Sequence, residues 1–277
     1  MAHTCFDVQI ADGIAHIIMN RPEKRNAMIA EFWTELPEIV RDIDENAKAR
    51  VIVISSTGPV FCAGIDVGMF QSDIGGTQDK NHPQYGPNFY ESAKRLQVSL
   101  SSLEECRIPV LSAIQGGCYG GGVDLITACD MRYGTEDSFI TIYEINVGMT
   151  ADVGTFPRIL NHMPEGVVRE LAYTGRKMGA AECKSRGLYN EVYADQESML
   201  AAVMKTAREI ASKPPLAVYG CKRIITYARD HSTADTLDNI AVWNMSMLIP
   251  SEMMEAMMSG KQKRVGDFKD LPKIKSS

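Results

Sequence analysis

The chain has no apolar run near the roughly 20 residues that a membrane-spanning helix requires, so no membrane insertion is expected. It has no excess of basic charge. The formal net charge is −6, so no nucleic-acid partner is expected, and an anionic ligand must be met by local lysines, arginines or helix N-termini. There is no C-x-x-C pair. The seven cysteines, an odd number, read as reduced thiols of an intracellular protein. The five histidines show no metal-ligand spacing, and no metal site is expected. The glycine-rich stretches are not followed by G-K-[ST] and lack the G-x-G-x-x-G register, and no G-x-S-x-G elbow occurs. P-loop, dinucleotide and serine-hydrolase sites are thereby set aside. The N-terminus, M-A-H-T-C-F-D-V-Q-I, has no Arg-rich amphipathic stretch, and the C-terminus K-I-K-S-S differs from the peroxisomal S-K-L. The expectation is a soluble intracellular protein of the cytoplasm or of a mitochondrial or peroxisomal matrix.

What is present is an ordinary globular composition, 45% hydrophobic and 23% charged over 277 residues, enough for one sizeable core. Strand-like runs occur at Ile14–Met19, Val51–Ser55, Val110–Ile114, Met131–Tyr133 and Phe139–Tyr143. Helical patterns lie between them at Ala27–Asn46, Tyr90–Glu105 and Val123–Ala128. Short strands separated by amphipathic helices predict an α/β architecture with parallel pairing. Pro37 is expected to kink or divide the first helix. Residues 71–88, polar and rich in Gly and Pro, read as a long loop and a candidate lid. From about residue 158 the pattern is helical: 158–174, Ser198–Ser212, Pro215–Arg229 and the methionine-rich Asp235–Met258. S-K-P-P-L at 212–216 is a helix break and marks a domain boundary in the span 200–215.

Two glycine turns and three carboxylates carry the chemistry. F-C-A-G-I-D at 61–66 and G-G-C-Y-G-G-G-V-D at 116–124 each follow a strand. If the turns meet, two peptide N–H groups can bind one carbonyl oxygen, and each such donor is worth ~3 kcal/mol in the transition state. Glycines that merely permit tight turns are the bland alternative. Asp124 can be a helix-start acid, and Asp152 a turn or N-cap residue. Glu144, placed at the end of an apolar strand, is harder to explain that way: burial there would raise its pKa and make it a usable base. Asp130 reads as structural, capping or pairing with a basic residue. Cys62 and Cys118, beside the turns, read as space-fillers rather than nucleophiles.

These motifs, with N-R-P-E-K-R-N-A at 20–27 and G-G-G-V-D-L-I-T-A-C-D-M-R-Y from Gly120, resemble the crotonase (enoyl-CoA hydratase/isomerase) superfamily over about residues 5 to 265. T-A-D-V-G-T at 150–155, R-D-H-S at 229–232 and W-N-M-S-M-L at 243–248 bring the resemblance nearest to its dienoyl-CoA isomerase branch. The resemblance implies an α/β crotonase spiral of ββα units in residues 1–210, bearing an acyl-CoA site. It also implies a C-terminal helical region, 211–277, that makes homo-oligomers, trimers or dimers of trimers. It implies a fatty acyl-CoA substrate and no separate cofactor, since coenzyme A arrives as part of the substrate. The thioester oxygen would be held by the N–H groups of Ile65 and Gly121. Ala63, Gly64, Asp66, Val67 and Gly122 would contact the substrate, and Lys24 and Arg25 the CoA phosphates.

Asp124 and Glu144 match the two catalytic Glu positions of a hydratase, and Asp152 the extra acid of the dienoyl isomerases. The implied reaction moves the double bonds of a 3,5-dienoyl-CoA to 2,4 in fatty acid β-oxidation. Glu144 is expected at C2 and Asp152 at C6, or the reverse, with Asp124 tuning both by like-charge coupling. A 2-enoyl-CoA hydratase is the same-fold alternative, weakened because Asp124 is one methylene shorter than Glu. A non-catalytic acyl-CoA-binding or assembly protein is another. It predicts loss of an acid or of a glycine turn, and all are present.

Overall fold

The computed structural model describes residues 3–71 and 79–274. It opens with strands β1 (Phe6–Ala11) and β2 (Ile14–Met19) and helix α1 (Ala30–Glu45). Three units follow in which two strands precede helix. The first is β3 (Val51–Ser56), β4 (Val60–Cys62), α2 (Val67–Gln71) and α3 (Tyr85–Glu105). The second is β5 (Val110–Ile114), β6 (Gly117–Tyr119) and α4 (Gly121–Ala128). The third is β7 (Met131–Thr135), β8 (Phe139–Thr141), α5 (Thr155–Ile159) and α6 (Glu165–Thr174). The chain continues through β9 (Met178–Gly179), α7 (Ala180–Ser185), β10 (Glu191–Tyr193) and α8 (Gln196–Ala211). It ends with α9 (Pro215–Tyr227), α10 (Thr233–Met247) and α11 (Pro250–Gln262).

Each unit gives one strand to each of two sheets. The larger runs β1-β2-β3-β5-β7-β10, parallel except for the β1–β2 hairpin. The smaller runs β4-β6-β8-β9, with β4, β6 and β8 parallel. Every residue of β3 is buried, as a parallel strand covered on both faces requires. Its side chains alternate. Ile52 and Ile54 enter a core with Phe32, Leu36 and Leu100. Val51 and Val53 enter a second core with Met199, Val203 and Ala207 of α8. The N-terminus of α8 is closed by a capping box, Asp195 accepting the Ser198 N–H at 2.7 Å.

The expected α/β order is present, with corrections in detail. Pro37 does not divide α1, which runs through it. Burial of Phe32, Trp33, Leu36, Ile39, Val40 and Ile43 on one face, at about 1.5–3 kcal/mol per side chain, outweighs the ~3 kcal/mol cost of the proline. Helix α3 starts at Tyr85, inside the stretch read as loop; residues 72–78 of that candidate lid lie outside the described residues. The 158–174 pattern is two helices separated before Glu165 by Pro164. The 235–258 pattern is likewise two, broken at Pro250, the first residue of α11.

Helix α9 is tied to the core by Lys222. Its buried ammonium donates to the carbonyls of Leu103 (2.7 Å) and Ile108 (3.0 Å) and pairs with Asp130 at 3.1 Å. Asp130 also accepts the Val110 N–H at 2.7 Å, the structural part expected of it. The final segment returns to the first half of the chain: Phe268 and Leu271 are buried, and Arg50 pairs with Asp270 at 2.6 Å. Among the described residues no helix is long and apolar enough to cross a membrane.

Candidate active site

The C-terminal ends of β4, β6 and β8 bring the chemistry together, where parallel strands generally present ligand sites. After β4 the chain turns through Ala63 and Gly64; after β6 it turns through Gly120 into α4. The two turns touch: a Cβ on Gly64 would lie 2.9 Å from the Tyr119 carbonyl oxygen, and one on Gly121 3.5 Å from Ile65 N. Ile65 is bracketed by two backbone hydrogen bonds, Met28 N–H to Gly64 O and Asp66 N–H to Met28 O. Among the described residues, neither the Ile65 nor the Gly121 N–H donates to a protein acceptor. Two adjacent donors are thus left for one oxygen, and the second stands at a helix N-terminus, where the dipole favours negative charge.

Behind the turns the packing is close. A Cβ on Gly122 would meet Cys62 Cβ at 3.0 Å and Cys118 Sγ at 3.1 Å, so Gly122 faces inward. Burial pushes the Cys62 thiol up to about 12 and raises Cys118 as well. Both stay protonated and fill space, as expected of them. Six of the seven cysteines are buried and all are free thiols.

The three carboxylates converge from different elements. Glu144 does not end a strand: β8 stops at Thr141, and Glu144 lies in the 3-10 turn Tyr143–Val147 that follows. Its carboxyl reaches over the second glycine turn, with Oε2 buried and without a hydrogen-bond partner among the described residues. Burial, then the nearby Asp124 charge, push its pKa up to about 7. Asp124, 1% exposed, accepts the Thr155 N–H at 2.6 Å and so caps α5 from 31 residues away. Burial still lifts its pKa to about 6, against the lowering effect of that bond. Asp152 is half-buried and also raised by burial. Its backbone carbonyl accepts Gln97 Nε2 at 2.7 Å, and it borders a cleft of about 440 Å³ between α3, α5 and the end of α9. The N-cap of α5 is Gly154, not Asp152.

Lys24 and Arg25 are exposed at the end of the 3-10 turn Pro22–Lys24. The Arg25 carbonyl accepts the Ala63 N–H at 3.0 Å, which sets this basic pair beside the first glycine turn. Asp66 caps α2 locally, accepting the Gly68 N–H at 2.8 Å, and Val67 is exposed.

Sequence reasoning passed over Asn26, 3% exposed. It donates to the carbonyls of Thr57 and Val60 (2.9 Å each) and accepts the Arg21 N–H, locking the basic turn onto β4. It also passed over Gln97 and Arg158. All three act across 30 or more residues, and a single sequence carries no signal for such pairs. Among the described residues no cluster of three or more ligating side chains could hold a metal ion.

Comparison with known proteins agrees with this architecture. Residues 9–270 match the enoyl-CoA hydratase/isomerase family, and the chain belongs to that family. It is 42% identical to the mitochondrial Delta(3,5)-Delta(2,4)-dienoyl-CoA isomerase of Homo sapiens, over 89% of this chain and 75% of that protein. It is 36% identical to the peroxisomal Delta(3,5)-Delta(2,4)-dienoyl-CoA isomerase of Arabidopsis thaliana, over 93% of both. Its fold superposes on the crystal structure of enoyl-CoA hydratase from Bacillus anthracis with a TM-score of 0.85, at 24% identity and covering 98% of this chain and 100% of that one.

Proposed function

We propose that this chain is a Δ3,5-Δ2,4-dienoyl-CoA isomerase of fatty acid β-oxidation. The observation that carries the reading is the meeting of two N–H groups, on Ile65 and Gly121, that donate to no acceptor among the described residues, with three carboxylates on separate elements. In the proposed reaction Glu144 takes a proton from C2 of the thioester. The C2–H electron pair becomes the C2–C3 double bond, the C3–C4 pair moves to C4–C5, and the C5–C6 pair takes a proton at C6 from Asp152. Between the two proton transfers the C2–H pair is held in a trienolate, its charge largely on the thioester oxygen, where the two N–H groups receive it, and it returns into C2–C3 as C6 is protonated.

C2 and C6 lie at opposite ends of the conjugated unit, so two separated acids suit the task better than one. Asp124, held by Thr155, tunes the protonation of the other two through charge; its cap geometry keeps it from replacing a hydratase Glu. Electrons move only within the substrate, so the reaction needs no cofactor beyond the coenzyme A the substrate carries. Lys24 and Arg25 meet the CoA phosphates, with Ala63, Gly64, Asp66 and Val67 along the path. Residues 211–277 form the oligomerisation region of a trimer or dimer of trimers, and a matrix location belongs to the same proposal.

The test is an ultraviolet assay of 3,5-dienoyl-CoA beside 2-enoyl-CoA. Rapid appearance of 2,4-dienoyl-CoA absorbance with slow hydration is expected. Fast hydration without isomerisation would make the chain a hydratase, and inertness toward both would make it a binding protein.

A further inference from the structure

The segment that carries Asp152 has no regular secondary structure between the 3-10 turn and α5, yet it is held at three points. Gln97 Nε2 donates to the Asp152 carbonyl at 2.7 Å. The Thr155 N–H donates to Asp124 at 2.6 Å. Between them, at Gly154 (φ +135°), a Cβ would lie 2.0 Å from Arg158 Nη1, so the guanidinium rests against the backbone itself. Arg158 is fixed in turn by α3, donating to Ser101 Oγ at 2.9 Å and Glu104 Oε2 at 3.1 Å. Gln97, Ser101 and Glu104 stand four and three residues apart, one face of the helix. That face meets the Asp152 segment directly through Gln97 and indirectly through Arg158.

We propose that Gln97 is a positioning residue for Asp152: its amide fixes the peptide on which the C6 acid is mounted. A side-chain amide satisfying a backbone carbonyl is ordinary in itself. Here, though, the carbonyl belongs to the acid's own residue, in a segment with no ladder to hold it, and both Gln97 and Asp152 border the same cleft. With Gln97 removed, the Thr155 and Gly154 contacts still hold the far end of the segment, so the loss is one of aim rather than of fold. Misplacement of an acid by about 1 Å can cost on the order of 10²-fold in rate.

The inference rests on the reading of Asp152 as the acid at C6. The experiment is a double-mutant cycle in the full chain with 3,5-dienoyl-CoA: wild type, Gln97→Met, Asp152→Asn and the pair. Methionine keeps length and helix propensity but removes the donor. Gln97→Met is expected to lower kcat about tenfold to a hundredfold with KM within about twofold, and to cost nothing further in the Asp152→Asn background. Unchanged kcat, or an equal loss in both backgrounds, overturns the proposal. Should Gln97→Met melt early, Gln97→Glu, isosteric and without a donor at neutral pH, is read in the same cycle. A wild-type chain that makes no 2,4-dienoyl product, or an Asp152→Asn chain as fast as wild type, defeats the underlying reading instead, and the inference falls with it.

Discussion

A Cβ on Gly120 would lie 3.0 Å from Oε1 of Glu144. The absence of that one atom lets the carboxyl come down onto the turn that leads into Gly121, so that the proposed base and the proposed oxyanion donor belong to one turn. The backbone asks for glycine as well, with φ +45° and ψ −115°. Gly120→Ala is therefore expected to displace Glu144 and lower isomerisation by about 10²-fold or more, the scale of a misplaced catalytic group. Steady-state kinetics with 3,5-dienoyl-CoA check this. Full activity in the alanine variant would mean that Glu144 works from somewhere other than the turn.

Glu144→Gln and Asp152→Asn keep shape and remove proton transfer. Each is expected to reduce kcat by about 10²–10⁴-fold while acyl-CoA affinity, measured by calorimetry, stays near that of wild type. Retention of the full isomerase rate in Asp152→Asn would exclude a two-acid mechanism.

The pH dependence follows from the raised carboxyls. Glu144 must be ionised to take the C2 proton, and its pKa is pushed up to about 7, so kcat/KM is expected to fall as pH drops below about 7. Asp152, raised by burial, must hold a proton for C6, so an alkaline limb should complete a bell whose two limbs belong to the coupled group. Stability moves the other way. Glu144's folded pKa lies above its usual 4.5, so its contribution is fully present below about 4.5 and is lost as pH rises through about 7. Denaturant titrations should show unfolding free energy declining across that window, and Glu144→Gln should flatten the decline.

The longer strands and helices are legible in the sequence: Val51–Ser56 opens with a continuous β-branched run of strand length, and α1 keeps helical spacing. Of the smaller sheet only β8 shows in the sequence, through the run at Phe139. Val60–Cys62 and Gly117–Tyr119 span three residues each, too few to show a period. They read as parts of glycine turns, although they are the strands that aim those turns at each other. The carboxylates were visible as residue types in motifs, but not their partners. That Asp124 caps α5, or that Asn26 ties the basic turn to β4, depends on contacts 31 to 34 residues apart. The sequence places Glu144 at the end of a strand because Phe139–Tyr143, F-I-T-I-Y, is a largely apolar run rich in β-branched and aromatic residues. In the structure Ile142 turns the chain out of the sheet, and the half-buried acid is delivered by a 3-10 turn.

Lys24 and Arg25 offer exposed positive charge beside the first glycine turn in a chain of net charge −6. Changing both to Ala is expected to weaken CoA-thioester binding, more at low ionic strength, where the Debye length reaches about 30 Å at 0.01 M. Because Arg25 holds Ala63 through its backbone carbonyl, the oxyanion turn should survive and kcat should change less than KM. Equal affinity for the variant and wild type by calorimetry at low salt would remove these residues from the CoA site.

Helices α10 and α11 carry large apolar side chains that the described residues of the chain leave exposed. Trp243 packs edge-on against Tyr219 at 5.1 Å and fills the space over Gly220, but α10 has no buried residue. Met245 is 80% exposed, Met254 60% and Met257 64%, with Leu237, Val242 and Leu248 beside them in the exposed set. Packing on its own domain, the competing account for this methionine-rich stretch, covers these side chains only in part among the described residues. So many exposed large apolar side chains on two successive helices mark an association site or an aggregation liability, and burial of each against a neighbour would contribute about 1.5–3 kcal/mol. The family resemblance supplies the number three and its double. Light scattering at micromolar concentration is expected to give a mass about three or six times 30.6 kDa, and Met245→Glu with Met257→Glu should shift it downward by placing charge in the contact. A wild-type mass near 30.6 kDa would refute the oligomer and leave this surface to a different partner.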